Sequence, residues 1–210
     1  LVVSGLPMVK DVFHLVDPAL ECILEEPEAK RVETGAPLMR LHGSLQAILK
    51  GERTALNLLA RLCGISTLTH RYVDATDGTD VQVVDTRKTL PGWRYLDKYA
   101  VAVGGAKNHR IGLFDGILIK DNHIAAAGSV KTAVEAALAG APSDIRVQVE
   151  VQTEEEALHA CAAGADFLLL DNCSTDAIRD LVKQFGDRAL LEASGGITLE
   201  NIRAYAETGV

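Results

Sequence analysis

The chain has 210 residues, of which 48% are hydrophobic and only 4% aromatic, and this composition favours an aliphatic core of the α/β type. Its net charge of −8 argues against a nucleic-acid-binding protein. No apolar run approaches the roughly 20 residues that span a bilayer and no signal peptide is visible, so we expect a cytoplasmic protein with no membrane partner. Four cysteines without a C-x-x-C pair are expected to be reduced thiols: Cys22, Cys63, Cys161 and Cys173.

Residues 1–75 are predicted to form an N-terminal α/β domain that ends in a long linking helix. Turn signals such as Glu26-Pro27 separate short mixed segments in its first part. Residues 38–43 alternate between apolar and polar side chains, which predicts a half-exposed strand. From Glu52 to about Tyr72 apolar residues recur at helical spacing, which predicts one helix, with Gly64 as the point where a break would fall.

Residues 76–210 are predicted to form a second α/β domain built on a parallel sheet. Short apolar runs alternate there with helix-like stretches, as expected of parallel strands that are covered on both faces. The predicted strands cover residues 81–84, 116–119, 146–149, 166–170 and 189–193, and the predicted helices cover residues 129–139, 153–163 (with a capping box), 176–185 and 199–208. Because the chain begins and ends within such segments, we expect both termini to be trimmed and the second domain to be incomplete at its carboxyl end.

Polar or charged residues follow each predicted strand of the second domain. In a βα barrel the carboxyl ends of the strands face one mouth, where the active site lies. Basic residues concentrate between positions 87 and 120, where Asp97 and Asp115 are the only acids, although the whole chain is acidic. This concentration predicts a small anionic ligand rather than a polymer. The basic residues are Arg87, Lys88, Arg94, Lys98, Lys107, Arg110 and Lys120.

Four residues in this segment have alternative interpretations. Arg87 and Lys88 suit a carboxylate or phosphate, and their place after a strand favours binding over a role as solvated surface charges. His109, which precedes Arg110, contacts an anion or flat ring, or is satisfied by a backbone carbonyl, and the two readings have equal weight. Lys120 ends a strand and contacts a ligand, or acts as a Schiff-base nucleophile, or, less in keeping with its place, forms a structural salt bridge.

Two carboxylates and a glycine loop complete the set of candidate residues. Glu150 and Asp171 end successive strands, where paired carboxylates hold Mg²⁺, accept hydrogen bonds from sugar hydroxyls or stabilise a developing cation. The alternative is that one of them caps a helix and only the other functions. The segment Ser194-Gly195-Gly196 lies between a strand and a predicted helix, where free N–H groups and the helix dipole favour a phosphate site.

Seven motifs, in order along nearly the whole chain, resemble the quinolinate phosphoribosyltransferase family. They are G-E-R-T-A-L-N (51–57), D-T-R-K-T-L-P-G (85–92), V-G-G-A-K-N-H-R (103–110), L-I-K-D-N-H-I (118–124), V-E-V (149–151), L-L-D-N (169–172) and E-A-S-G-G-I (192–197). The resemblance implies an N-terminal α/β domain followed by an open, TIM-like α/β barrel. It also implies that quinolinate and phosphoribosyl pyrophosphate are converted, with Mg²⁺, to nicotinate mononucleotide, pyrophosphate and CO₂ in NAD biosynthesis.

The resemblance also assigns roles to individual residues. Arg87, His109, Arg110 and Lys120 would bind the two carboxylates of quinolinate, together with Thr86 of the same motif, and Lys88 would contact phosphoribosyl pyrophosphate. Glu150 and Asp171 would hold ribose hydroxyls and Mg²⁺, directly or through water, and act in catalysis with Lys120. Ser194, Gly195 and Gly196 would bind the 5′-phosphate. Arg53 would reach the partner subunit's site, so the expected unit is a homodimer or larger.

Other functions remain open at this point. A related pyrophosphorylase associated with molybdenum transport would share the ribose and phosphate residues and act on another substrate. A Schiff-base aldolase would use Lys120 as its nucleophile, but a dicarboxylate substrate accounts better for the arginines. A catalytically inactive binding subunit is the third alternative.

Overall fold

The computed structural model describes residues 1–210 as two compact units, one formed by residues 1–74 and 82–109 and the other by residues 75–81 and 110–210. The predicted domain boundary between residues 75 and 76 stays a prediction. The helices are α1 Leu6–Val16, α2 Leu45–Ala75, α3 Arg94–Val103, α4 Asp121–Ala127, α5 Val130–Gly140, α6 Glu154–Ala163, α7 Thr175–Phe185 and α8 Ile202–Ala206. The strands are β1 Glu21–Leu24, β2 Met39–His42, β3 Ile117–Ile119, β4 Val147–Val151, β5 Phe167–Asp171 and β6 Leu190–Ser194.

The first unit packs α1, α2 and α3 with a two-stranded antiparallel sheet, β1–β2. Strand β2 alternates between half-buried and exposed residues, which confirms the strand predicted over residues 38–43. Helix α2 runs for 31 residues and passes through Gly64 without a break. Its buried residues, among them Leu58 and Leu62, recur mostly every three or four positions and form one stripe along the helix.

The predicted strand at residues 81–84 is wrong in its extent. Only Val84 pairs with another segment, through one parallel bridge to Lys107. No ladder extends beyond this bridge, because the His109 N–H binds the Asp85 carboxylate instead of the Asp85 carbonyl. Nearest-neighbour patterns in the sequence did not reveal that partner, because pairing depends on a segment more than twenty residues away.

The second unit is built on a four-stranded parallel sheet in the order β3–β4–β5–β6. The core side of β4 carries Val147, Val149 and Val151, all at most 2% exposed, and helices α5, α6 and α7 contribute to the same apolar cluster. Helix α6 begins after Thr153, whose Oγ1 accepts the Glu156 N–H, and ends at Gly164 in the left-handed conformation. The predicted strands after residue 115 and the parallel sheet are confirmed.

The last predicted helix is shorter than expected. The sequence predicted residues 199–208, whereas α8 covers Ile202–Ala206. The preceding residues form turns in which the Asn201 side chain accepts the Thr198 N–H and donates to the Gly196 carbonyl. None of the helices, including the long α2, combines the length and hydropathy that crossing a bilayer requires.

Candidate active site

Two candidate residues of the second unit, Lys120 and Glu150, form an ion pair at the carboxyl ends of neighbouring strands. Lys120 follows β3 directly, and its Nζ lies 3.2 Å from Glu150 Oε2. Strand alternation turns Val149 and Val151 into the core and therefore places Glu150 on the opposite face of β4. The salt bridge considered for Lys120 is thus formed, and its partner is another candidate residue, Glu150.

Asp171 is the last residue of β5 and lies directly beside Ser194 in the register of β5 and β6. Ser194 Oγ donates to Asp171 Oδ1 over 2.5 Å, and Asn172 Nδ2 donates to Asp171 Oδ2 over 2.7 Å. Both carboxylate oxygens are therefore oriented by neighbours, and each keeps a lone pair for a ligand. Burial, and then the nearby Asp171 charge, raise the pKa of the Cys173 thiol, so this cysteine stays protonated.

The Gly195-Gly196 loop follows β6 with both residues in the left-handed region, at φ +87° and +63°. A Cβ atom at Gly195 would lie only 2.8 Å from the Asn172 backbone nitrogen, so the loop approaches the end of β5 too closely for a side chain. The prediction that a helix dipole lies next to the loop is wrong, because α8 begins only at Ile202.

In the first unit, the segment Thr86-Arg87-Lys88 forms a tight turn shortly after the bridge residue Val84. Thr86 Oγ1 accepts the Lys88 N–H over 3.0 Å, and the Arg87 carbonyl accepts the Thr89 N–H over 2.9 Å. Arg94 Nη2 also donates to the Arg87 carbonyl over 3.4 Å. These three hydrogen bonds, one of them from α3, therefore hold the backbone that carries the Arg87 and Lys88 side chains.

One member of the predicted basic cluster does not belong to a ligand-binding surface. Lys98, on α3, is 2% exposed, and its Nζ binds Asp85 Oδ1 over 2.5 Å and the His109 carbonyl over 2.8 Å. Lys98 was predicted only as a member of the basic cluster, and Asp85 had no predicted role. Leu96 and Ala100 lie on one side of α3, and Lys98, two positions from each, lies on another side, so the apolar spacing gave no signal of its burial.

The remaining candidates occupy separate positions. Arg53 lies on an exposed face of α2, and Arg110 Nη1 donates to the Gly116 carbonyl over 3.0 Å. His109 is half-buried, and its backbone N–H binds Asp85 Oδ1 over 2.8 Å. His123, a histidine near Lys120, has its Nδ1 engaged with the Lys120 N–H over 3.0 Å and thereby caps α4.

Two further polar residues, Gln148 and Glu192, lie on the same face of the sheet as Glu150. Neither was among the residues predicted from the sequence. Gln148, two residues before Glu150 on β4, donates from Nε2 to Glu192 Oε2 on β6 over 2.9 Å. Gln148 is 5% exposed, so its amide is a buried polar group with a partner. The period-two alternation of β4 would have placed Gln148 on the same face as Glu150.

The donor set suits Mg²⁺ held together with a substrate, rather than in a cage of protein ligands. No cluster of three or more His, Cys, Asp or Glu side chains has metal-binding geometry. Mg²⁺ commonly takes only one or two carboxylates and completes its shell with water and substrate phosphate oxygens. Glu150 and Asp171, on neighbouring strands, supply two such carboxylates.

Comparisons with known proteins cover the whole chain. The family profile "Quinolinate phosphoribosyl transferase, N-terminal domain" matches residues 1–63, and that of the C-terminal domain matches residues 65–210. The chain is 45% identical over 207 residues to the probable nicotinate-nucleotide pyrophosphorylase [carboxylating] of Bacillus subtilis, covering 99% of this chain and 72% of that protein. It is 46% identical over 186 residues to the Mycobacterium leprae nicotinate-nucleotide pyrophosphorylase, covering 87% and 65%.

Solved structures give the same result. NadC from Streptococcus pyogenes matches with a TM-score of 0.94 and 40% identity, over 97% of this chain and 72% of that one. The nicotinate-nucleotide pyrophosphorylase from Francisella tularensis matches with a TM-score of 0.95 and 38% identity, over 100% of this chain and 74% of that one.

Proposed function

The chain belongs to the quinolinate phosphoribosyl transferase family, and from this premise we propose how its residues perform the reaction. Its activity is that of a carboxylating nicotinate-nucleotide pyrophosphorylase, a phosphoribosyltransferase that acts on quinolinate in NAD biosynthesis. The second substrate is phosphoribosyl pyrophosphate, and the products are nicotinate mononucleotide, pyrophosphate and CO₂. The observation that carries the assignment of roles is the cation–carboxylate pair of Lys120 and Glu150, with Asp171 on the next strand.

Quinolinate is a pyridine with two adjacent carboxylates, so it requires several cations held on fixed backbone. We assign this role to Arg87, His109, Arg110 and Lys120, with Thr86 shaping the turn. The support is local: the Arg87 carbonyl is held from α3, the His109 N–H from Asp85, and the Arg110 guanidinium from the Gly116 carbonyl. Arginine binds planar carboxylates through two parallel hydrogen bonds, which orients the ring as well as holding it.

Glu150 and Asp171 face the ribose. Breaking the bond at the anomeric carbon develops positive charge on the sugar. Fixed carboxylates stabilise that charge because their negative charges are already in place and need no reorganisation. Asp171 is oriented by Ser194 and Asn172 before any substrate arrives. When bound, Mg²⁺ would neutralise the departing pyrophosphate, and Glu150 and Asp171 would hold it directly or through water.

We assign binding of the phosphate groups to backbone N–H groups and to Lys88. The Ser194 hydroxyl already donates a hydrogen bond to Asp171. The 5′-phosphate is therefore bound mainly by the N–H groups at Gly195 and Gly196. Lys88, exposed on the turn after Val84, contacts the pyrophosphate side of the donor as a point charge.

Transfer precedes decarboxylation in this scheme. Loss of CO₂ from the carbon beside the ring nitrogen leaves a carbanion-like centre, which is stabilised once the nitrogen is ribosylated and positive. Lys120 would hold the departing carboxylate in place until then. Release of CO₂ from quinolinate in the absence of phosphoribosyl pyrophosphate would contradict this order.

The working unit proposed here is at least a homodimer in the cytoplasm. Arg53, exposed on α2, would complete the partner subunit's site. Four free thiols suit a reducing compartment.

The direct test is nucleotide formation from quinolinate and phosphoribosyl pyrophosphate with Mg²⁺, with nicotinate replacing quinolinate as the control. Calorimetric titration of quinolinate into the wild type and into Arg110→Ala measures the cation site separately. We expect binding in the wild type and a loss of roughly tenfold or more in affinity for the variant, because one charged hydrogen-bonding partner of a carboxylate is removed. Equal turnover of nicotinate, or unchanged binding by Arg110→Ala, would contradict the assignment.

A further inference from the structure

Asp85 and Lys98 form the most deeply buried ion pair of the first unit. Lys98 Nζ lies 2.5 Å from Asp85 Oδ1, and the two side chains are only 3% and 8% exposed. Lys98 Nζ also donates to the His109 carbonyl over 2.8 Å. Oriented to satisfy both neighbours, the Asn108 amide donates to Asp85 Oδ2 and to the Lys98 carbonyl, each over 2.9 Å. The ammonium group and both carboxylate oxygens therefore have hydrogen-bond partners.

The Asp85 carboxylate takes the place of a backbone carbonyl in the parallel pairing of two segments. Lys107 N–H donates to the Val83 carbonyl over 2.9 Å, and Asp85 N–H donates to the Lys107 carbonyl over 3.1 Å. The next bond of a parallel ladder would run from His109 N–H to the Asp85 carbonyl. His109 N–H instead binds the Asp85 carboxylate over 2.8 Å, and the backbone pairing ends there.

A buried ion pair is weak evidence for stability, because an apolar pair of similar volume often stabilises a protein as well or better. The position of this pair is more informative than its burial. Asp85 directly precedes Thr86-Arg87-Lys88, and both members of the pair bind the backbone of His109, through its N–H and its carbonyl.

We propose that Asp85 and Lys98 are positioning residues for quinolinate: their ion pair fixes the backbone at Arg87 and His109, so that these two side chains meet the substrate carboxylates together. This inference rests on the proposed function, which assigns Arg87 and His109 to quinolinate. A shift of about 1 Å in such groups can cost as much as 100-fold in rate, which gives a pair that touches no substrate a large effect.

The test separates positioning from folding by using two variants. Lys98→Met leaves the Asp85 carboxylate buried without its cation and lowers stability. The double variant Asp85→Asn, Lys98→Met removes both charges and therefore recovers stability, but it does not restore the donor to the His109 carbonyl. In both variants we expect the KM for quinolinate to rise about 10- to 100-fold, with little change in the KM for phosphoribosyl pyrophosphate.

Tyr99→Phe is the matched control, because Tyr99 is the next residue on α3 and its hydroxyl binds Glu28 over 2.7 Å, away from the two segments. It should leave both KM values unchanged. A merely structural role for the pair would reduce the active fraction, and so kcat, at constant KM. A folded double variant with the wild-type KM for quinolinate overturns the proposal.

A milder variant keeps the proposal testable if neither of these folds. Asn108→Ala removes an exposed residue's two hydrogen bonds and leaves the ion pair in place. Its KM for quinolinate should rise by a smaller factor, and an unchanged value overturns the proposal. If the wild type itself forms no nucleotide from quinolinate, the proposed function fails instead, so the two failures are distinguishable.

Discussion

The Asp171 carboxylate is the most fully oriented acid at the carboxyl end of the parallel sheet, since both of its oxygens accept side-chain hydrogen bonds. Asp171→Asn removes the charge and keeps the shape, so we expect kcat to fall by about 100-fold or more with little change in stability. Steady-state kinetics with both substrates and a denaturation curve check this.

Asp166→Asn is the matched control for that prediction. Asp166 precedes the same strand at its opposite end, where its carboxylate binds Arg146 Nη1 over 2.6 Å and the Val147 N–H over 2.8 Å. The control should lose stability but keep kcat. A fall in kcat of equal size in both variants would show that Asp171 acts through the fold rather than on the substrate.

Substitutions at Gly195 and Gly196 separate two energetic costs, that of a side chain in the left-handed conformation and that of a steric clash. Both have positive φ, but a Cβ at Gly195 would meet the Asn172 backbone, whereas a Cβ at Gly196 meets nothing within 4 Å. Gly196→Ala should cost about 1–2 kcal/mol of unfolding free energy from the left-handed conformation alone, and Gly195→Ala should cost more. Urea denaturation of both variants measures the difference, and equal costs would contradict the close approach.

Asp171 and the glycine loop could be predicted as site residues from the sequence because both depend on local features, an apolar run and the residues that end it, and their roles stay predictions. It could not predict which neighbour orients Asp171, since Ser194 is 23 residues away in the chain and is brought there by strand register. Lys98 shows the same limit, because a lysine in a basic segment has no local signal of burial.

Helix α2 contains two glycines with opposite surroundings. Gly64 is exposed with open space around its Cβ position, whereas a Cβ at Gly51 would lie 2.9 Å from Phe13 Cδ1. Gly64→Ala should therefore raise the unfolding free energy by about 0.5–1 kcal/mol through helix propensity, and Gly51→Ala should lower it by overpacking. Thermal and urea unfolding check both signs. Destabilisation by Gly64→Ala would indicate that α2 is not continuous there.

Helix and strand extents were predicted well where one segment contains the whole signal. The capping of α6 by Thr153 and the alternation of β2 are such cases. The segment at residues 81–84 was predicted less well, because its apolar pattern matches a strand but its partner offers only one bridge at Lys107.

At the scale of the whole molecule, the buried thiols make the unfolding free energy depend on pH in the alkaline range. Burial raises the pKa of Cys63 above its ordinary value of 9.0, and it also raises the pKa values of Cys22, Cys161, Cys173 and Tyr99. Above that pH the unfolded chain loses protons that the folded chain keeps, so the unfolding free energy falls as pH rises.

Urea denaturation at pH 7, 9 and 10 measures this dependence. The stability contributed by the protonated thiols is complete below pH 9.0 and is lost as pH rises through the raised values. Cys63→Ala should reduce the slope, because it removes a thiol that is 2% exposed. A flat or rising profile between pH 9 and 10 would contradict the prediction.

The proposed sharing of Arg53 between subunits is also a property of the whole molecule. Co-expressed Arg53→Ala and Lys120→Ala chains, each expected to be inactive alone, should recover roughly a quarter of wild-type activity, since half of randomly paired dimers would contain one intact site of two. Activity assays of the two single variants and the mixture check this. No recovery in a confirmed mixed dimer would place Arg53 in its own subunit's site.

One long-range hydrogen bond affects how the chain folds while a ribosome synthesises it. Arg203 Nη1 donates to the Asp77 carbonyl across 126 residues, and both residues belong to the second unit. At about 5–20 residues per second, the stretch around Asp77 waits roughly 6–25 s for that partner to be synthesised. The first unit's sequence is complete by residue 109, so nascent chains should hold one folded unit followed by a tail that proteases still cut.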